Sequence, residues 1–376
     1  MMILGDTSIP LPLLCLSETI LSIGQRCNED VLEEIFLHLQ CSALAKAARV
    51  CRAWLPAASR TLYHNIHIST YSLVTDRLAQ TLRTAPSLRG LVRHVALYHP
   101  KLNEADPSVL DWLALLPEHS LLSITLENTD MFNLLKEQRM LDLPAFRTVS
   151  SIVAHGRYLS GDISTLLNIP YLQSLSIELL SRRSYSFVKP LRPTLRRLAI
   201  TICGYNTVIE TILQSFEEPL EQFMLVVSSN LCKAGLSSLQ TGLRRHAPCL
   251  KRLFLIGHPQ DKLPSMDDYI LSFPALETLL CSYSTFSPLL VKRLPPTLTS
   301  LILRVRTDCT FPSDEYATAL QRHRHKLRRL SALTIVDVPG QWRRRKNQWE
   351  PLVELCAAEG ISFRTMRRDP YNPFVS

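Results

Sequence analysis

The chain has 376 residues, 46% hydrophobic and 20% charged, an ordinary globular composition that is expected to fold. Its formal charge of +9 is uneven: eleven Lys or Arg face five Asp or Glu between Arg304 and Glu350, and the rest is nearly balanced. No charge-free apolar run approaches the roughly 20 residues a membrane span needs, and 24 prolines against 11 glycines predict many short elements ended by fixed turns.

Residues 1–26 carry Asp6 early and no basic residue before Arg26, the reverse of a secretory signal's charged start, so a loose leader is expected there. The ten cysteines include no Cys-x-x-Cys pair and have no histidines at zinc spacing. They read as reduced thiols of a cytosolic or nuclear protein, acting mostly as small core residues.

From Cys27 to Ile68 the spacing is helical. Val31, Leu32, Ile35, Phe36 and Leu39 form one broad apolar stripe, with Asn28 placed to cap the helix and Glu29 and Asp30 in its first turn. A second helix is expected from Ser42 or Ala43 to Trp54, marked by Leu44, Ala48, Val50, Cys51 and Trp54, and Pro56 ends it or starts the next. A third is expected over Ala57–Leu62. Three helices in about 40 residues bury too little surface to be comfortable alone, so a partner is expected.

The run "EDVLEEIFLHL", then "LAKAARVCRAW", then "LYHNIHI" resembles an F-box, with Cys27-Asn28 where that family usually opens with Leu-Pro. The resemblance implies docking onto the Skp adaptor, which links such proteins to the cullin and RING subunits of a ubiquitin ligase. The adaptor-binding and core positions it implies are Val31, Leu32, Ile35, Phe36, Leu39, Leu44, Val50, Cys51 and Trp54. The alternative reading is a stripe that only caps the region behind it.

Beyond residue 86 one phrase recurs: a proline, Leu-x-x-Leu-x-Leu or a variant, then polar residues. Clear copies are "PYLQSLSI", "PTLRRLAI", "PLEQFML", "PCLKRLFL", "PALETLLC" and "PTLTSLIL". Their first apolar residues, with those of weaker copies, are Leu121, Phe146, Leu172, Leu195, Leu220, Leu250, Leu276, Leu298 and Leu327, giving steps of 22 to 30 residues. Helical spacing lies between several copies, with starts expected at Asn206, Ser265 and Ser313. Such a unit cannot bury its apolar side alone, so copies must stack. The region resembles irregular leucine-rich repeats, although most copies lack the asparagine that usually ends the strand phrase. An ordinary α/β domain with strands after prolines is the other reading. At the end, a helix over Trp349–Ala358 stopped by Gly360, a strand over Ile361–Phe363 and a tail are expected.

No phosphate-binding, dinucleotide-binding, zinc-protease or serine-hydrolase motif is present. The close pairs His64/His67 and His323/His325 have no carboxylate or cysteine at ligand spacing and read as surface or packing residues. The basic runs, Arg322–Arg329 and Arg343–Lys346, read as a solvated face, an import signal or a patch for an acidic partner, with Trp342 and Trp349 flanking the second as in an exposed binding loop.

The expected fold class is therefore α/β: a leader over 1–26, a short three-helix F-box over 27–68, a curved leucine-rich-repeat-like solenoid of parallel strands over 69–363, and a tail over 364–376. The expected function is that of a cytoplasmic or nuclear substrate receptor without catalysis, metal or cofactor. Outward residues such as Gln173, Arg197, Lys251, Glu277 and Thr299 would present a target-binding surface. An F-box protein acting outside a ligase, and an enzyme with a site on the sheet face, are the competing readings.

Overall fold

The computed structural model describes residues 28–69, 73–98, 107–127, 140–155, 161–162, 164–167, 169–180, 185–186, 194–203, 208–227, 233–257, 267–282, 286–306, 311–338 and 349–366. The leader, the expected starts at Asn206 and Ser265, the second basic run with Trp342, and the tail beyond 366 lie outside these residues.

Three helices open the chain: α1 (Glu29–Phe36), α2 (Cys41–Ala47) and α3 (Trp54–His64). The helix expected from Ser42 to Trp54 is thus two pieces. Its chain tightens through Arg49 N–H to Lys46 O and Val50 N–H to Ala47 O, and α3 starts at Trp54 rather than Ala57. Proline supplies the reason. Pro56 has no N–H and fits only a first helical turn, where that donor would have no helical acceptor.

A single sheet of twelve parallel strands follows, hydrogen-bonded in chain order: β1 (Asn65–Ser69), β2 (His94–Tyr98), β3 (Ser123–Glu127), β4 (Ser151–His155), β5 (Ser174–Leu180), β6 (Arg197–Cys203), β7 (Gln222–Val227), β8 (Arg252–Ile256), β9 (Thr278–Ser282), β10 (Ser300–Arg306), β11 (Ala332–Val338) and β12 (Ser362–Met366). Two-residue strands at 161–162 and 185–186 pair separately. Strands that follow one another in sequence and neighbour one another in space define an open α/β solenoid, in which each repeat rests on the next. β1 follows α3 without a break, so the sheet begins inside the F-box-like segment, and β12 extends past the expected end at Phe363.

One hydrogen-bond pattern recurs where each strand starts. The carbonyl of Arg93 accepts from the N–H groups of Leu122 and Ser123, Leu122 O from Ser150 and Ser151, Ser150 O from Gln173 and Ser174, and so on to Thr299 O, which accepts from Ser331 and Ala332. The buried residue just before each ladder position is the true repeat anchor. This corrects two sequence assignments: Val149 and Leu330, not Phe146 and Leu327, occupy that place, while Phe146 and Leu327 are buried three residues earlier. The other anchors, from Leu121 to Leu298, stand where the phrase put them and are buried. The two Pro-Thr-Leu copies also share a device: Thr194 Oγ1 donates to the carbonyls of Pro170 and Leu172, and Thr297 Oγ1 to those of Pro274 and Leu276.

Along each strand, alternate side chains enter a core between sheet and helices, for example Leu198, Ile200 and Ile202, then Phe223 and Leu225, then Leu253 and Leu255. The intervening side chains were expected to point outward on the opposite face, and a surface for a target was expected there. Part of that face is buried instead. From β7 to β11, Met224, Phe254, Ile256, Leu280, Ile302 and Val336 form a second buried cluster on that face. A strand covered on both sides reads as a continuous apolar run, which "RLFLI" and "TLLC" show.

His246 is wholly buried beside the helix Val208–Ser215. Leu220 N–H donates to its Nδ1 at 3.1 Å, and its Nε2–H donates to Leu213 O at 2.9 Å. Burial holds its pKa below the ordinary 6.5, against the upward pull of the Leu213 carbonyl. A proton on Nδ1 would also face the Leu220 N–H. Because the unfolded chain binds that proton more readily, this contribution to stability is complete above about pH 6.5 and is lost as pH falls from there toward the folded pKa. Thermal unfolding followed between about pH 7.5 and 5.5 is therefore expected to fall less steeply in His246→Gln than in wild type. Parallel profiles would contradict this.

The first basic run divides. Arg324 bonds Glu359 through both its side chain (3.2 Å) and its carbonyl (3.1 Å), and also reaches Leu327 O. It ties the helix Ser313–His323 to the end of the helix Glu350–Ala358. Arg322, Lys326, Arg328 and Arg329 are exposed. Arg324→Ala is expected to cost about 1–2 kcal/mol in urea unfolding, whereas Arg328→Ala is expected to stay within about 0.5. Trp349 is buried against Phe311, with ring centroids 5.1 Å apart, so it is not the exposed flanking residue that was expected.

Candidate functional site

The candidate site is the surface of α1 to α3. Asn28 precedes α1, and its carbonyl accepts from the N–H groups of Val31 and Leu32, but its side chain makes no capping bond. Arg60 on α3 forms ion pairs with both Glu29 and Glu33 of α1. Ala57 and Ala58 present only methyl groups, which lets α3 lie close against α1 and α2. Their shared core is Leu32, Phe36, Leu44, Ala47, Ala57 and Ala58, with Ala48, Trp54 and Leu62 packed on it. Trp54 meets Phe36 edge to face at 5.6 Å.

The residues singled out in the sequence fall into two sets. Leu32, Phe36 and Leu44 are interior, which places them in the packing of the unit rather than on a contact surface. Val31, Ile35, Leu39 and Val50 are exposed at 50%, 50%, 38% and 62%, and Cys51 and Trp54 are intermediate. Leu37 and Leu55, also exposed, were missed. The signal for Leu55 was Pro56: a helix starting at Trp54 turns Leu55 outward and Ala57 and Ala58 inward. Large apolar side chains standing half in water at such density mark an interaction surface.

Elsewhere, the sheet's face away from the helices carries Tyr98, Glu127 and His155 on β2 to β4. The Tyr98 hydroxyl donates to Glu127, and burial is the main cause that holds its pKa up. Burial holds the His155 pKa down against the pull of Glu178 and Glu127. His67 stacks on Tyr98 at 6.3 Å, and His64 lies 5.0 Å from His94. Among the described residues no group of three or more His, Cys, Asp or Glu could hold a metal ion, and no helix is long and apolar enough to cross a membrane. Cys281 and Cys356 are buried, their thiol pKa values pushed up by burial, while Cys41 and Cys249 are exposed.

Of the expected outward residues, Gln173, Lys251, Glu277 and Thr299 belong to the ladder row at the strand starts. Arg197 lies one position further on, on the face away from the helices.

A three-helix unit with its own small core, feeding an open parallel repeat sheet, is the layout of a docking module joined to a repeat array. Residues 29–69 match the family model described as F-box-like, so the chain carries an F-box-like domain followed by a leucine-rich-repeat-like sheet. No curated protein matches the chain. Among solved structures, a leucine-rich-repeat protein of Leptospira interrogans superposes over 86% of this chain and 80% of its own length, at 14% identity and a TM-score of 0.29. So loose a likeness adds nothing to the strand order and carbonyl ladder, which carry the repeat assignment alone.

Proposed function

We propose that the chain is a substrate-receptor subunit of a Skp-cullin-F-box ubiquitin ligase. The observation that carries this is the exposed apolar set Val31, Ile35, Leu39 and Val50 on the F-box-like unit. A cap serving only the repeats would turn such side chains toward the sheet. In this reading α1 to α3 hold the Skp adaptor, and the sheet with its loops holds a target protein. The chain catalyses nothing; it raises the effective concentration of the target beside the ligase's catalytic subunits. The reading places it in the cytoplasm, the nucleus or both. The test is comigration of the purified full chain with purified Skp adaptor in size-exclusion chromatography. A shared peak is expected; separate peaks would favour an F-box-like protein that acts outside a ligase.

A further inference from the structure

From Asn65 on β1 to Ser300 on β10, the first paired position of every strand carries a hydrogen-bonding side chain and never a carboxylate. Near the centre of this row, Ser174, Arg197, Gln222, Arg252 and Thr278 stand side by side in register. Alternation fixes their direction: Leu198 and Leu253 enter the helix-side core, so Arg197 and Arg252 point to the other face.

Both arginines are exposed. Their neighbour Arg196 is paired with Glu221 at 3.4 Å, but the side chains of Arg197 and Arg252 make no hydrogen bond or ion pair among the described residues. Two strand spacings put them about 10 Å apart, with only the Gln222 amide between. Side chains of that length can reach a common point above Gln222. Two like charges placed so close oppose folding slightly, and no side chain among the described residues pairs with them. A guanidinium fork matches the paired oxygens of a carboxylate or phosphate, and two forks with an amide between them offer donors on three sides of one anion.

We propose that Arg197, Gln222 and Arg252 form an anion-reading site for an acidic segment of the target protein, held through carboxylate or phosphate oxygens. The proposal rests on the receptor reading for its biological sense, though not for its chemistry. The probes are three fluorescein-labelled peptides of one backbone, bearing glutamate, phosphoserine or glutamine at the same positions, with anisotropy measured on the full chain.

At least one acidic peptide is expected to bind about tenfold or more tighter than the glutamine peptide, and Arg197→Gln/Arg252→Gln to remove that advantage. Arg328→Gln/Arg329→Gln, an equal change of net charge at exposed positions, is expected to keep it. Binding of the glutamate peptide assigns the carboxylate as the source, and binding of the phosphoserine peptide alone assigns the phosphate. Equal binding of all three peptides, or equal weakening by both double variants, would overturn the proposal. So would tighter binding of a single-stranded oligonucleotide controlled by the same two arginines, because nucleic acid would then be the occupant. Comigration with the adaptor, run on the same samples, separates the two readings. Its failure with peptide binding intact removes the ligase and leaves the site.

Discussion

Val31→Ser/Ile35→Ser is expected to abolish stable capture of the Skp adaptor while leaving the chain folded. Both side chains are half exposed on α1, so covering what remains of each contributes roughly 1–1.5 kcal/mol. Losing both costs about 2–3 kcal/mol, or about 30- to 150-fold in Kd. The folded state should lose only about 0.5 kcal/mol per site, since neither residue belongs to the shared core. Phe36 gives no such separation. It is 2% exposed against Trp54, so Phe36→Ala costs about 3–5 kcal/mol and unfolds a unit of this size whether or not an adaptor binds. The informative comparison is adaptor Kd and circular dichroism on the same double variant. Unchanged affinity in a folded double variant would remove these residues from the contact.

Phe254→Ala is expected to destabilise the sheet about as much as Phe223→Ala, each by about 3–5 kcal/mol in urea unfolding. Phe223 lies on the helix side, in the main core. Phe254 lies on the opposite face, in register with Met224 and Leu280, yet it is almost as completely buried. A solvent-facing aromatic in an open sheet would lose less than about 1 kcal/mol on truncation. The pair therefore decides whether β7 to β11 are covered on both faces, and a Phe254→Ala chain within about 0.5 kcal/mol of wild type would contradict it. In the proposed receptor reading, coverage there leaves the strand starts and β1 through β5 for a target.

Most of the repeat sheet was legible because period-2 alternation and a step of 22 to 30 residues both follow from stacking identical units. Two anchors were misplaced by three residues because Phe146 and Leu327 are also buried, and an apolar residue one helical turn early looks the same in sequence as the anchor itself. The second cluster was overlooked for a related reason: Phe254 and Leu280 stand at variable positions of the phrase, and alternation places them away from Leu253 and Leu279, on the face expected to be outward. In the three-helix unit, the stripe was visible but its division was not. Val31 and Leu32 are adjacent, and only the position of α3, set by Pro56, decides which of them it covers. The arginine pair was invisible in sequence because Arg197 and Arg252 lie 55 positions apart, and only the register through Gln222 unites them.

The most direct measurement is affinity capture of the full wild-type chain beside Val31→Ser/Ile35→Ser from the same cells, with quantitative mass spectrometry of what each brings down. The receptor account predicts Skp adaptor and a cullin with the wild type, both lost together from the double variant. Absence of the adaptor from the wild-type capture, or equal amounts with the two chains, would contradict it.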